Sequence, residues 1–164
     1  MKVIDIMSKK VVMVSPEAPL RQLWKKIFTS HINAVPVVDK NKMLLGIISK
    51  EDILKMLYPN YEDLIEDFFS VTDFEEMEKR IAGLGSTRAK EVMCKRVVFT
   101  REDTPIMRAL SRMIARRLNQ LPVLSRDDER VVGMVTKGDI FKALFINQLK
   151  GKLFKNVKKV TKKS

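Results

Sequence analysis

The chain holds one cysteine, one histidine and one tryptophan among 164 residues. A lone cysteine, Cys94, excludes an intrachain disulfide and fits a reducing compartment. One cysteine and one histidine, His31, are too few for a tetrahedral Cys/His zinc site without carboxylates or a second chain. Neither lies in a nucleophile signature, so a polar helix-end histidine and a small buried thiol are the ordinary readings. No apolar run approaches the roughly 18 residues that cross a bilayer. Asp5 interrupts the apolar start "MKVIDIM", so no signal peptide is expected and the cytoplasm is the default compartment. Phosphate-loop signatures are missing too. "GLGS" has no strand before it and no third glycine after it, and Gly151-Lys152 is followed by Leu153. A protein that is not an enzyme is therefore expected, with no catalytic cofactor, no metal site and no membrane partner.

What is present is a core and a charge. Hydrophobic residues make up 45% of the chain, ordinary for a globular protein, so wholesale disorder is not expected. The length suits one compact unit or two small ones. The formal net charge is +12, which favours anionic partners such as phosphorylated small molecules, nucleic acid or acidic surfaces without choosing among them.

The chain repeats itself. Slide it so that Met7 falls on Met93, and Val11-Val12 meets Val97-Val98, Pro19 meets Pro105, Asn33 meets Asn119 and Pro36 meets Pro122. One extra residue in the turn "SRDDER" shifts the register, after which Gly46 meets Gly133, Ser49 meets Thr136 and Asp52 meets Asp139. Each copy reads the same way. A short β-branched run, "VVMV" or "VVFT", is followed by a helix with Leu20, Leu23, Trp24, Ile27 and Phe28, or Ile106, Ala109, Leu110, Met113 and Ile114, on its core face. Then come "AVPVVD" or "QLPVLS", a polar turn, "LLGIIS" or "VVGMVT", and a short helix. The fold class is α/β of the α+β type, two β-α-β-β-α repeats with a helical insert between them. A unit of about 55 residues buries too little surface to be secure alone, so the copies are expected to pack as one module.

The organisation expected is a first repeat over 1–57, an acidic helical insert over 58–87, a second repeat over 88–148 and a basic tail over 149–164. In the insert, Leu64, Ile65, Phe68, Phe69, Phe74, Met77 and Ile81 recur at helical spacing beneath an acidic outer face, and Gly83 or Gly85 is the stop.

"GIISKEDIL" and "GMVTKGDIF" carry the candidate chemistry. Hydroxyl-x-x-Asp at a helix start has two readings. One is a capping box, in which the hydroxyl accepts from the backbone three residues on and the acid reaches back. In the other, free N–H groups and the helix dipole receive a phosphate, the hydroxyl of Ser49 or Thr136 donates to it, and Asp52 or Asp139 accepts from ribose hydroxyls. Lys50 and Lys137 are the charge partners for the phosphate.

The ordered pairs "IMSKKVVMVSPEAPL" with "VMCKRVVFTREDTPI", and "NAVPVVDKNKMLLGIISKEDIL" with "NQLPVLSRDDERVVGMVTKGDIF", resemble a tandem of CBS (cystathionine β-synthase) domains, a Bateman module. The resemblance implies two small α/β units packed through their sheets, with clefts that hold adenosine-containing ligands: AMP, ADP, ATP or S-adenosylmethionine, with or without Mg beside the phosphates. It implies phosphate contacts from Ser49 and Thr136 and ribose contacts from Asp52 and Asp139. It also implies contacts to the base from Val12, Val14, Val98 and Thr100 through the backbone of the first strand, and from Val35, Pro36, Leu121 and Pro122 around the proline. The expected function is a regulatory sensor of an adenosine nucleotide that passes its occupancy to a target protein. Such modules pair into disc-like homodimers. Here the dimer is expected on Ile53, Leu54, Leu57, Ile140, Phe141, Leu144 and Phe145. Two alternatives stand beside this. One is a nucleic-acid-binding protein that uses the pair as a scaffold and binds through the lysine-rich tail. The other is a ligand-free dimerisation module.

Overall fold

The computed structural model describes residues 1–30, 32–57, 79 and 82–146. The chain divides into two compact units that cut across the repeats. The first is built on Val12–Val97 with Glu129–Val131. The second takes Met1–Val11, Val98–Asp128 and the described residues from Val132 onward.

In the first unit, helix α1 (Leu20–Ser30) is followed by strands β1 (Ala34–Val38) and β2 (Leu44–Ser49) and then helix α2 (Lys50–Leu57). The strands are antiparallel, with Ala34 opposite Ser49 and Val35 opposite Ile48. Their turn is held by Asp39, whose Oδ1 accepts from the N–H groups of Asn41 at 2.8 Å and Met43 at 2.9 Å. Lys42 takes the left-handed conformation there, φ 64°. Leu20, Leu23 and Ile27 recur at helical spacing and pack with Val35, Val37, Ile48 and Ile53. Removing each such side chain from water is worth about 1.5–3 kcal/mol.

A short helix, α3 (Ala89–Val92), opens the second repeat but belongs to this unit. The Ala89 N–H donates to Ala18 O at 2.9 Å, and Cys94 exchanges both backbone bonds with Ile47, at 2.9 and 3.1 Å. Glu17 accepts from Lys90 Nζ at 2.7 Å and lies 3.2 Å from Arg88. The hydrogen bond from Lys90, then the charges of Lys90 and Arg88, hold its carboxyl below its usual pKa.

The second unit repeats the plan. Strand β3 (Thr100–Arg101) runs parallel to β4 (Gln120–Leu124), which lies between it and β5 (Val131–Thr136). Helix α4 is Ile106–Ala115, and α5 follows over 137–146. Ile106, Ala109, Leu110, Met113, Leu121, Val123, Val135 and Ile140 form the core with Val3 from the first residues of the chain. Ser8 exchanges backbone bonds with Met134 at 2.9 and 3.0 Å, the counterpart of Cys94 with Ile47. Arg101 pins the longer β4–β5 turn, its Nη1 donating to Ser125 O and Asp128 O at 2.7 Å each. Helix α4 ends in a Schellman cap. Leu118 N–H donates to Met113 O at 2.8 Å and Arg117 N–H to Ile114 O at 3.1 Å, with Arg117 left-handed at φ 54°.

The repeated glycine now has a reason. A Cβ on Gly46 would lie 2.6 Å from Met93 Sδ, and one on Gly133 would lie 2.5 Å from Met7 Sδ and 3.1 Å from Ser8 O. Each unit therefore seats the leading methionine of one repeat on the bare backbone of the other repeat's last strand.

Several expectations are corrected. "VVMV" forms no strand; only Val14 bridges to β1, opposite Val37, and of "VVFT" only Thr100 enters β3. Ile114 stands at the edge of the α4 stripe and is 61% exposed. Ile53 and Ile140, assigned to a dimer face, are buried core residues, and Leu144 packs partly buried against the second core. Cys94 is exposed rather than buried. Gly83 lies within a helical turn and Gly85 just after it, with no left-handed glycine among the described residues. His31, most of the acidic insert, the tail from 149 and the side chains of Phe28 and Leu57 lie outside the described residues.

Candidate functional site

Sheet register gathers the candidate residues of each copy. In the first unit, Ser49 ends β2 opposite Ala34, two residues before Pro36 on β1, and Val14 lies along the other side of β1. Asp52 sits in the first turn of α2, which starts directly after Ser49. In the second unit, Thr136 ends β5, Asp139 follows in the first turn of α5, and Thr100 pairs with Val123 beside Pro122.

The hydroxyl-x-x-Asp geometry is the same in both. Ser49 N–H and Oγ donate to Asp52 Oδ2 at 2.8 and 2.6 Å, and Asp52 N–H donates back to Ser49 Oγ at 3.1 Å. Thr136 N–H and Oγ1 donate to Asp139 Oδ2 at 2.8 Å each, and Asp139 N–H returns to Thr136 Oγ1 at 3.0 Å. These are complete capping boxes made with the shorter acid. All four side chains are half-buried. Each carboxylate commits Oδ2 to the box, and among the described residues Oδ1 accepts nothing.

The caps limit what the helix ends can offer an anion. Lys50 N–H donates to Asn33 O at 2.9 Å, and Lys137 N–H to Asn119 O at 3.0 Å. Of the four leading N–H groups of each helix, the box and the asparagine carbonyl occupy three. Only Glu51 N–H and Gly138 N–H are left without a partner among the described residues. Asn33 and Asn119 shape the site, although motif spacing assigns them no role. Their coincidence in the repeat was the available signal. Lys137 Nζ also reaches Asn119 Oδ1 at 3.4 Å, a weak interaction.

The residues assigned to a base divide in two. Val35 and Leu121 are fully buried core side chains, and Pro36 and Pro122 are buried as well. The backbone of Val14 is occupied, its N–H by Pro36 O at 3.1 Å and its carbonyl by Val38 N–H at 2.9 Å. Thr100 is held the same way by its ladder with β4. The next bond of a parallel ladder would run from residue 36 to Val12 O, and from residue 122 to Val98 O. Proline has no N–H to give. The repeated proline thus ends the ladder, which is why the first strands are so short. It leaves the main-chain groups of Val12 and Val98 unpaired among the described residues. Both valines are half-buried.

Among the described residues, no group of three or more histidine, cysteine or acidic side chains could hold a metal ion. No helix there is long and apolar enough to cross a membrane.

Comparison with known proteins agrees with the repeat. The CBS domain model matches residues 3–59 and 89–146. Protein MJ1426 of Methanocaldococcus jannaschii is 30% identical over 155 residues, covering 88% of this chain and 91% of that protein. Inosine-5'-monophosphate dehydrogenase of the same organism is 29% identical over 141 residues; these are 86% of this chain but 23% of that enzyme. Among solved structures, the CBS domain pair of protein MJ0100 in complex with 5-methylthioadenosine and S-adenosyl-L-methionine superposes with a TM-score of 0.67. It is 27% identical and covers 90% of this chain and 98% of that one. With both repeats matched by the domain model, the chain belongs to the CBS-domain family as a tandem pair.

Proposed function

We propose that the chain is a regulatory module that binds an adenosine-containing nucleotide and signals its occupancy to a target protein. One observation carries the reading. Both copies hold a half-buried aspartate by one oxygen and leave the other able to accept from a ribose hydroxyl without breaking the cap. The open main-chain groups of Val12 and Val98 suit the hydrogen-bonding edge of a base. The relative MJ0100, solved with two adenosine derivatives, supports the same ligand class.

The caps narrow that class. One unused helix N–H per copy, with Lys50 or Lys137 and a hydroxyl that must turn from its aspartate, is a modest anion site. AMP or a phosphate-free adenosine derivative fits it better than a triphosphate with Mg. Binding alters the target only by the difference in nucleotide affinity between the conformations the target distinguishes. A homodimer is part of the proposal: Leu54 on α2 and Phe141 and Phe145 on α5 are 53%, 49% and 65% exposed. Light scattering that shows a monomer at tens of micromolar removes that part.

The test is denaturing mass spectrometry of small molecules that co-purify with the protein, followed by melting with added AMP and S-adenosylmethionine. At about a hundred times the dissociation constant, a ligand adds roughly 2.7 kcal/mol and raises the melting temperature by several degrees. Co-purified RNA or DNA with no nucleotide-induced shift favours the scaffold alternative. No ligand and no shift favours the plain dimerisation module.

A further inference from the structure

Helix α4 carries a line of arginines that neither the core nor the candidate site uses. Arg108, Arg112 and Arg116 recur every fourth residue, so they share one ridge about 12 Å long, and Arg117 lies beside its end. All four are exposed. No acidic residue occurs on α4, and none of the four makes an ion pair among the described residues. Like charges at this spacing repel, and Arg108 sits in the first turn, where the helix dipole also opposes a cation. Arg117 occupies the left-handed cap position that glycine fills at least cost. Arg112 has a structural task, donating to Phe99 O at 2.8 Å; for the other three no such bond is found among the described residues.

The first repeat shows that the fold does not require this pattern. Its matching positions hold Gln22, Lys26, Ser30 and His31. The same helix, with the same terminal bond from Ile32 N–H to Ile27 O at 3.2 Å, is built there without the arginine line.

We infer that the outer face of α4 is a contact surface for the phosphate backbone of nucleic acid, without sequence selectivity. A straight row of guanidinium groups matches a regularly spaced polyanion, and guanidinium is the side chain whose fork fits phosphate. An anionic membrane fits less well. The apolar stripe of α4, Ile106, Ala109, Leu110 and Met113, is buried in the core, which leaves only Met107 and Ile114 of its large apolar side chains exposed, too few to embed the helix in a bilayer surface. Contacts from such a row to phosphate position a strand without reading its sequence. This surface stands independently of the nucleotide reading.

The test uses the full chain with its tail, a labelled polythymidylate strand and fluorescence anisotropy across a salt series. Arg108→Gln/Arg116→Gln/Arg117→Gln removes three charges and leaves Arg112 in place. Its matched control, Arg21→Gln/Lys25→Gln/Lys26→Gln, removes three from α1. For single strands the log–log salt slope changes by about 0.7 for each phosphate that is no longer neutralised. The α4 variant should therefore lose about 2 from the slope and about a hundredfold in affinity at 0.1 M salt. The control should lose far less, and both should melt as the wild type does. Equal losses in the two variants overturn the inference, because net charge alone would then explain binding. So does an unchanged slope in the α4 variant. Stronger α4-dependent binding to phosphatidylserine vesicles than to the oligonucleotide assigns the face to lipid instead.

Discussion

The two units solve the same packing problem with different residues at one buried position. Val14 and Thr100 stand at matching places beside β1 and β4, 5% and 0% exposed. Valine brings two methyl groups to that core. Threonine brings a hydroxyl, and Thr100 Oγ1 finds no hydrogen-bond partner among the described residues. What both units keep is more instructive: the glycine under a methionine, the proline that stops the ladder, the asparagine carbonyl on the helix end and the Ser/Thr–Asp box. The first two are dictated by sterics and by a missing N–H. The last two build the candidate site. The residues that vary between copies, Thr100 and Arg108, Arg116 and Arg117 of α4 among them, are those the shared fold does not need.

The shared glycine should give the largest effect. Gly46→Val and Gly133→Val each force Met93 or Met7 out of its seat, and overpacking of this kind costs about 1–3 kcal/mol in urea unfolding. Adding Met7→Ala to the Gly133 variant should recover part of the loss, because the clash is with that side chain. A neutral Gly133→Val would mean that the leading segment does not hold its place.

Exchanging the residues that differ should give the next effect, with opposite signs in the two units. Thr100→Val removes a buried unsatisfied hydroxyl and should stabilise by about 1 kcal/mol or more, while Val14→Thr should destabilise by a similar amount. Equal signs would show that the two cores are not equivalent there.

The smallest effect concerns Glu17, which has no counterpart acid at the matching position Asp103 that is paired in the same way among the described residues. Its folded-state pKa is lowered, so its contribution is present above its unfolded pKa and is lost as pH falls through the folded value. The stability difference between wild type and Glu17→Gln should therefore be slight near neutrality and vanish in acid. A difference that grows as pH falls contradicts the assignment. The pair is exposed, so the neutral-pH effect stays small.

Much of this was legible in the sequence because the repeat supplied an internal comparison. The stripe Leu20, Leu23 and Ile27, its partner Ile106, Ala109, Leu110 and Met113, and the boxes at Ser49–Asp52 and Thr136–Asp139 all follow from spacing. Three things were not legible. The exchange of leading segments is a long-range interaction, and no local pattern announces that Met7 will sit on Gly133. The shortening of the first strand depends on which bond a proline cannot make, and that needs the register of Val14 against β1. Side-chain burial at strand positions depends on which sheet face is covered. Val35 and Leu121 therefore read as candidates for a base although they are core residues.

The central claim is that the aspartate of each box serves a ribose as well as a cap, and calorimetric titration of AMP and S-adenosylmethionine tests it most directly. Wild type is compared with Asp52→Asn/Asp139→Asn, since asparagine keeps one carbonyl oxygen for the cap and replaces the free oxygen with an amide donor. Hydrogen bonds to a charged group are worth about 1.5–3 kcal/mol, so each site should weaken by about ten- to a hundredfold while the protein melts within about 1 kcal/mol of wild type. A 2′,3′-dideoxy analogue should show the same loss on wild type. If the double variant binds as tightly as wild type, the boxes are caps alone and the ribose assignment is wrong.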